Sequence, residues 1–134
     1  MVGFQGIALV RNFLILFSLF SVVVNGYTPA DNAALKTAVK DWCRNATSAE
    51  NTYGQLISNW DTSSITSMDG LFCSHSTNCP GGNQECSNFN DDISSWDVSH
   101  VVDMWGTFGF ASSFNSDLSS WNVSQVTTMF AMFY

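Results

Sequence analysis

The chain has 134 residues, enough for one modest domain. It carries 11 acidic residues against 4 basic ones, and no Lys or Arg occurs from residue 45 onward. Such a surface repels phosphate backbones and excludes nucleic acid as an expected partner. Aromatic residues make up 14% of the sequence, which excludes a disordered composition.

Residues 1–26 read as a secretory signal peptide. Arg11 is the only charge, and residues 13–24 form an apolar run of 12. That length suits a signal core and falls short of the ~20 residues that span a bilayer. Val24-Asn25-Gly26 supplies small or apolar residues at a cleavage site, with Ala30 as an alternative. An uncleaved leader is the competing reading, and the one route by which the chain would meet a membrane. The expected location is extracellular, either secreted or cell-surface associated. Asn45-Ala46-Thr47 and Asn122-Val123-Ser124 are sequons, so Asn45 and Asn122 are glycosylation candidates.

Residues 27–53 read as a capping helix and linker. Leu35, Ala38, Val39, Trp42 and Ala46 follow helical spacing, which predicts a helix over 30–44. Lys40 and Arg44 sit in its last turn, where positive charge suits the helix dipole. The helix is expected to cover the apolar end of a stacked array.

Residues 54–134 carry an internal repetition. The stretch 89–108, FNDDISSWDVSHVVDMWGTF, returns as 114–133, FNSDLSSWNVSQVTTMFAMF. A more divergent copy, ISNWDTSSITSMDGLF, occupies 57–72. Trp60, Trp96 and Trp121 align, as do Met68, Met104 and Met129, and Phe72, Phe108 and Phe133. Ile93, Trp96 and Val98 follow the L-x-x-L-x-L spacing of leucine-rich repeats. Trp96 and Val98, two apart, predict a short strand; Val101, Met104 and Phe108 predict a short helix. The expected fold is an α/β repeat solenoid, leucine-rich-repeat-like, with one short strand and one short helix per 25-residue unit. The tryptophans read as core. Trp105, whose counterparts are Asp69 and Phe130, and His100, whose counterparts are Ser64 and Gln125, are the candidate contact residues. The pattern stops at Phe133-Tyr134, where a return loop is expected, so the array reads as a piece of a longer one.

An insertion at 73–88 separates the first two copies. It holds Cys73, His75, Cys79 and Cys86. With Cys43 outside it, the four cysteines suit two disulfides in an oxidising compartment. Zinc sites prefer ligands two to four residues apart, and that spacing is lacking, so no metal is expected. One bond within the loop and one to Cys43 are expected; four cysteines allow three connectivities.

The motif F-N-x-D-[IL]-S-S-W-[DN]-V-S-x-V-x-x-M-x-x-x-F resembles the repeat of the BspA-like leucine-rich-repeat surface proteins, over about 60% of the chain. The resemblance implies an extracellular, non-catalytic protein acting in adhesion or protein contacts. The family has no established catalytic residues to carry over. No G-x-S-x-G, phosphate loop or H-E-x-x-H occurs, and neither a catalytic residue nor a cofactor is expected. The expected function is a repeat module contacting a protein or a cell-surface glycan. A structural wall or matrix component is the alternative, and an enzyme a distant third.

Overall fold

The structure, a computed structural model, describes residues 26–75, 77–79 and 82–134. The proposed signal peptide lies outside the described residues except for Gly26. Helix α1 spans Asn32–Arg44 and helix α2 spans Ala46–Tyr53. Asp31 caps α1 by accepting from the Ala34 N–H, and Leu35, Ala38, Val39 and Trp42 form its buried stripe. The helix starts two residues later than the spacing predicts because Asp31 supplies the acceptor that the first turn needs. Asn45 ends α1 and caps α2 through its side chain, which accepts from the Ser48 N–H. Gly54, at φ 74°, closes α2 in the left-handed conformation that glycine adopts without cost.

Beyond α2 the chain forms almost no regular secondary structure. Two short 3-10 helices, Ile57–Asn59 and Gln84–Asn88, and two isolated parallel bridges, Ser67↔Asp103 and Asp103↔Thr128, are all that the described residues contain. This overturns the α/β solenoid expected from the spacing: neither the short strand nor the short helix of each unit forms. The reason is local. Asp97 accepts from the Ser99 N–H at 2.9 Å, folding the backbone just where a strand would run straight. The same Asx turn recurs at Asp61–Ser63, Asp92–Ser94, Asp117–Ser119 and Asn122–Ser124. Trp96 N–H then bonds the Ile93 carbonyl, and Val101 N–H the Val98 carbonyl, so apolar residues three apart share a side through tight turns. A helix after Val101 is broken at Gly106, which has φ 59°.

The three copies nevertheless lie side by side in register. Met68, Gly70 and Phe72 donate to the carbonyls of Asp103, Trp105 and Thr107, each at 2.8 Å. One copy on, Met104, Gly106 and Phe108 donate to Thr128, Phe130 and Met132 at 2.8–3.0 Å. The donors are every second residue, so their amides share one edge, and the middle position is left-handed in each copy: Gly70 (φ 58°), Gly106 (φ 59°) and Ala131 (φ 55°). Side chains follow the backbone. Phe72, Phe108 and Phe133 stack at 5.3 and 5.4 Å, within 6° of parallel. Phe89 and Phe114 stack beside them at 6.0 Å. Such ring pairs contribute about 0.5–1.5 kcal/mol each beyond their burial.

The aligned tryptophans are core, and Trp96 and Trp121 find their hydrogen bonds in the preceding copy. Trp96 Nε1 donates to the Ile57 carbonyl at 2.7 Å, and Trp121 Nε1 to the Ile93 carbonyl at 3.1 Å. Trp60 has no preceding copy, and among the described residues its buried Nε1 has no partner. Tyr27, Trp42 and Tyr53 surround its ring edge-on instead. Helix α1 covers the first copy. Asn32 Oδ1 accepts from the Thr66 and Ser67 amides, and Lys36 bonds Asp69 at 2.9 Å.

The Asx turns make the fold acid-sensitive. Serine hydroxyls, then backbone amides, hold Asp61, Asp92 and Asp97 below the usual carboxylate value; for Asp117 the Ser119 backbone amide leads. A carboxylate with a depressed folded pKa stabilises above its unfolded pKa, and that stability disappears as pH falls through the folded value. Urea midpoints should therefore hold near neutrality and decline as the solution is acidified through the carboxylate range. Asp97→Asn, which keeps an acceptor as Asn122 does, should flatten part of that decline in the same titration.

Candidate functional site

The insertion between the first and second copies packs against the second rather than standing free. Two disulfides fix it. Cys73–Cys79 closes the loop on itself, and Cys43–Cys86 ties it to α1. The structure thus selects one of the three connectivities, and no cysteine is free. Cys73, Cys79 and Cys86 are buried. Asn83 braces both bonds: its N–H donates to the Cys73 carbonyl and its Nδ2 lies 3.0 Å from Cys86 Sγ. Gly109 lies against the loop so closely that an added Cβ would meet Cys79 Sγ at 3.2 Å and Cys73 Sγ at 3.3 Å. Arg44 extends toward Glu85 at 3.9 Å, a surface pair of small energetic weight.

Between this loop and the second and third copies lies a cleft of about 470 Å³. Four aromatic residues line it: Trp105, Phe110, Phe130 and Tyr134. Trp105 stands in a turn rather than on the exposed side of a helix, and it is half-buried. Its N–H is held by Asp103 Oδ1 at 2.9 Å and its carbonyl by Gly70. Phe110, left-handed at φ 58°, is clasped between His75 at 4.7 Å and Tyr134 at 5.1 Å. Ser74 Oγ donates to the Phe110 carbonyl and holds that conformation. The polar rim comes from the cysteine loop, where Thr77 and Asn78 join the lining. The amides of both donate to His75 Nδ1, each at 3.3 Å.

Among the described residues, no charged side chain lines the cleft. Such a space favours an uncharged ligand with an apolar face and a few hydroxyl or amide groups. No group of His, Cys, Asp and Glu among the described residues has the arrangement to hold a metal ion.

The candidate residues separate accordingly. Trp105 and the cysteine loop meet at the cleft. His100 is exposed elsewhere, with Nδ1 3.3 Å from Ser99 Oγ, and does not line it. Asn45 and Asn122 are both exposed, and the side-chain oxygen of each accepts from a local amide. Phe130 and Tyr134 escape a reading of single copies. Their signal is positional: Phe130 stands where Trp105 stands one copy earlier.

The family model described as Mycoplasma protein of unknown function, DUF285, matches residues 43–134, and the chain belongs to that family. The match takes in both disulfides, all three copies and the cleft. No curated protein and no solved structure matches the chain. Among the described residues, no helix is long and apolar enough to cross a membrane.

The two disulfides differ in the loops they close, 43 residues against 6. Loop-closure entropy assigns about 4 kcal/mol to the longer and about 2 kcal/mol to the shorter. Replacing Cys43 and Cys86 together by Ser should lower the urea midpoint by roughly twice as much as replacing Cys73 and Cys79. The second pair, by contrast, should disturb the cleft more, read as a larger change in near-ultraviolet circular dichroism.

Proposed function

We propose that the protein is an extracellular, non-catalytic contact module that holds its ligand in the aromatic cleft beside the cysteine loop. The observation that carries this reading is the meeting of Trp105, Phe110, Phe130 and Tyr134 with the Thr77–Asn78 rim in a lining without charge. Aromatic faces pack against the C–H face of a sugar ring or against apolar side chains, and the rim meets hydroxyl or amide groups. The described residues of the lining offer aromatic faces and amide or hydroxyl groups, which suit holding a ligand. The resemblance of the copies to BspA-like surface proteins points the same way, toward protein or glycan contacts outside the cell. The leader and the two disulfides support the compartment.

Probing the secreted chain against arrays of neutral glycans and of surface-protein peptides tests the proposal. Saturable binding is expected, with affinity falling at least about tenfold in Trp105→Ala and Phe130→Ala, as for a lost aromatic anchor. Binding that survives both substitutions would place the ligand elsewhere. No saturable binding to either array would favour a structural wall or matrix component without a discrete ligand.

A further inference from the structure

The rim of the cleft hangs on one side chain. The cysteine loop is bonded to the second copy at its start, where the Ser74 N–H donates to the Gly109 carbonyl at 3.0 Å and Ser74 Oγ donates to that of Phe110. Among the described residues, the rim pair Thr77 and Asn78 makes no bond to the second copy. Both amides donate instead to His75 Nδ1 at 3.3 Å, and Thr77 Oγ1 lies 3.1 Å from the same nitrogen. The His75 ring rests on Phe110, with centroids 4.7 Å apart, and Phe110 lines the cleft. One imidazole thus ties the polar rim to the aromatic wall.

Elsewhere in the chain the comparable turn is built on Asp or Asn. Asp61, Asp92, Asp97, Asp117 and Asn122 each accept from the amide two residues on. Those acceptors survive mild acid: Asn does not titrate, and the turn donors hold the four carboxylates below their usual value. Histidine in that role behaves differently. An imidazole nitrogen accepts only while it carries no proton, and a protonated ring has a donor at both nitrogens. Histidine is also the side chain whose ordinary titration falls between about pH 5 and 8. A proton on Nδ1 would set one N–H against two amide N–H groups. Among the described residues, those bonded to or stacked on the ring are Thr77, Asn78 and Phe110, and none carries a charge to offset it. Tyr134, across Phe110, is the one titratable side chain of the described lining, and a phenol gains no charge on acidification.

We propose that His75 is an acid-operated latch on the cleft: its uncharged ring holds the Thr77–Asn78 rim in place, and its protonation frees the rim and releases a bound neutral ligand. The inference rests on the reading of the cleft as the contact site and gives that contact a pH dependence.

NMR spectra of the free chain, titrated from about pH 8 to about pH 5, test the latch without a ligand. The Thr77 and Asn78 amide resonances should move with the same midpoint as the His75 ring protons. Acrylamide, an uncharged quencher, should reach Trp105 more readily at the acid end, while Trp42, Trp60, Trp96 and Trp121 stay buried. His75→Asn keeps an acceptor and does not titrate, so its rim should stay in place across the range. His75→Phe keeps a ring over Phe110 but no acceptor, so it should resemble the acid form already at the alkaline end. His100→Gln should change neither readout. A neutral glycan or uncharged peptide retained on the arrays near pH 8 should bind at least about tenfold more weakly near pH 5, in the parent chain but not in His75→Asn. Three results would overturn the latch: rim amides that stay fixed while the His75 ring titrates, a pH response that survives in His75→Asn, and array binding undiminished in acid. Arrays that retain nothing would count against the contact reading alone, because the amide titration decides the latch without a ligand.

Discussion

The fold depends on the direction of its backbone amides between copies. In an ordinary strand, N–H groups alternate between the two edges. Here the donors of the first two copies are every second residue, so their amides share one edge and donate to the next copy, although the chain between them folds through tight turns with a left-handed residue at the middle donor. Glycine takes that conformation freely at positions 70 and 106, and Ala131 takes it at some cost. Everything else is registered on this pairing. The phenylalanine rings stack because the backbones beneath them are bonded in step, and the indole N–H groups reach the preceding copy for the same reason.

A stack with polarity has two unlike ends, and they are handled differently. At the first copy, α1 supplies polar side chains to the leftover amides and an apolar stripe to the core. The cost of that ending is visible at Trp60, whose indole reaches no carbonyl among the described residues and is packed among aromatic rings instead. The Cys43–Cys86 bond ties this same helix to the inserted loop. One covalent link therefore joins the covered end of the stack to the wall of the cleft.

Much of the register was legible in the sequence and little of the local structure was. Trp60, Trp96 and Trp121 could be aligned by eye because a buried indole tolerates few replacements, and their equivalent positions in the core follow. The strand and helix could not be read from spacing alone. Trp96 and Val98 satisfy a period of two whether the chain between them is extended or folded by Asp97, and only the Asp-x-Ser turn chemistry tells these apart. Gly106 carried a second signal, a glycine within an otherwise helical spacing. Helix α2 left little trace because Ala49 is its one buried residue; the Asn45 cap and Gly54 stop mark it better than any apolar stripe. At the cleft, Trp105 and the cysteine loop stood out as departures from the repetition, but their adjacency to Phe130 and Tyr134 required the bonded register of the second and third copies. His100 departed from the pattern equally and lies apart.

Amide hydrogen exchange on the free chain measures the polarity of the stack most directly. If each copy donates to the next, the Gly70 and Gly106 amides should be strongly protected, and Ala131, their counterpart in the third copy, should exchange at a rate close to that of solvent-exposed backbone. Gly70 and Gly106 exchanging as fast as Ala131 would contradict the account, because the bonds that register the copies would then be absent.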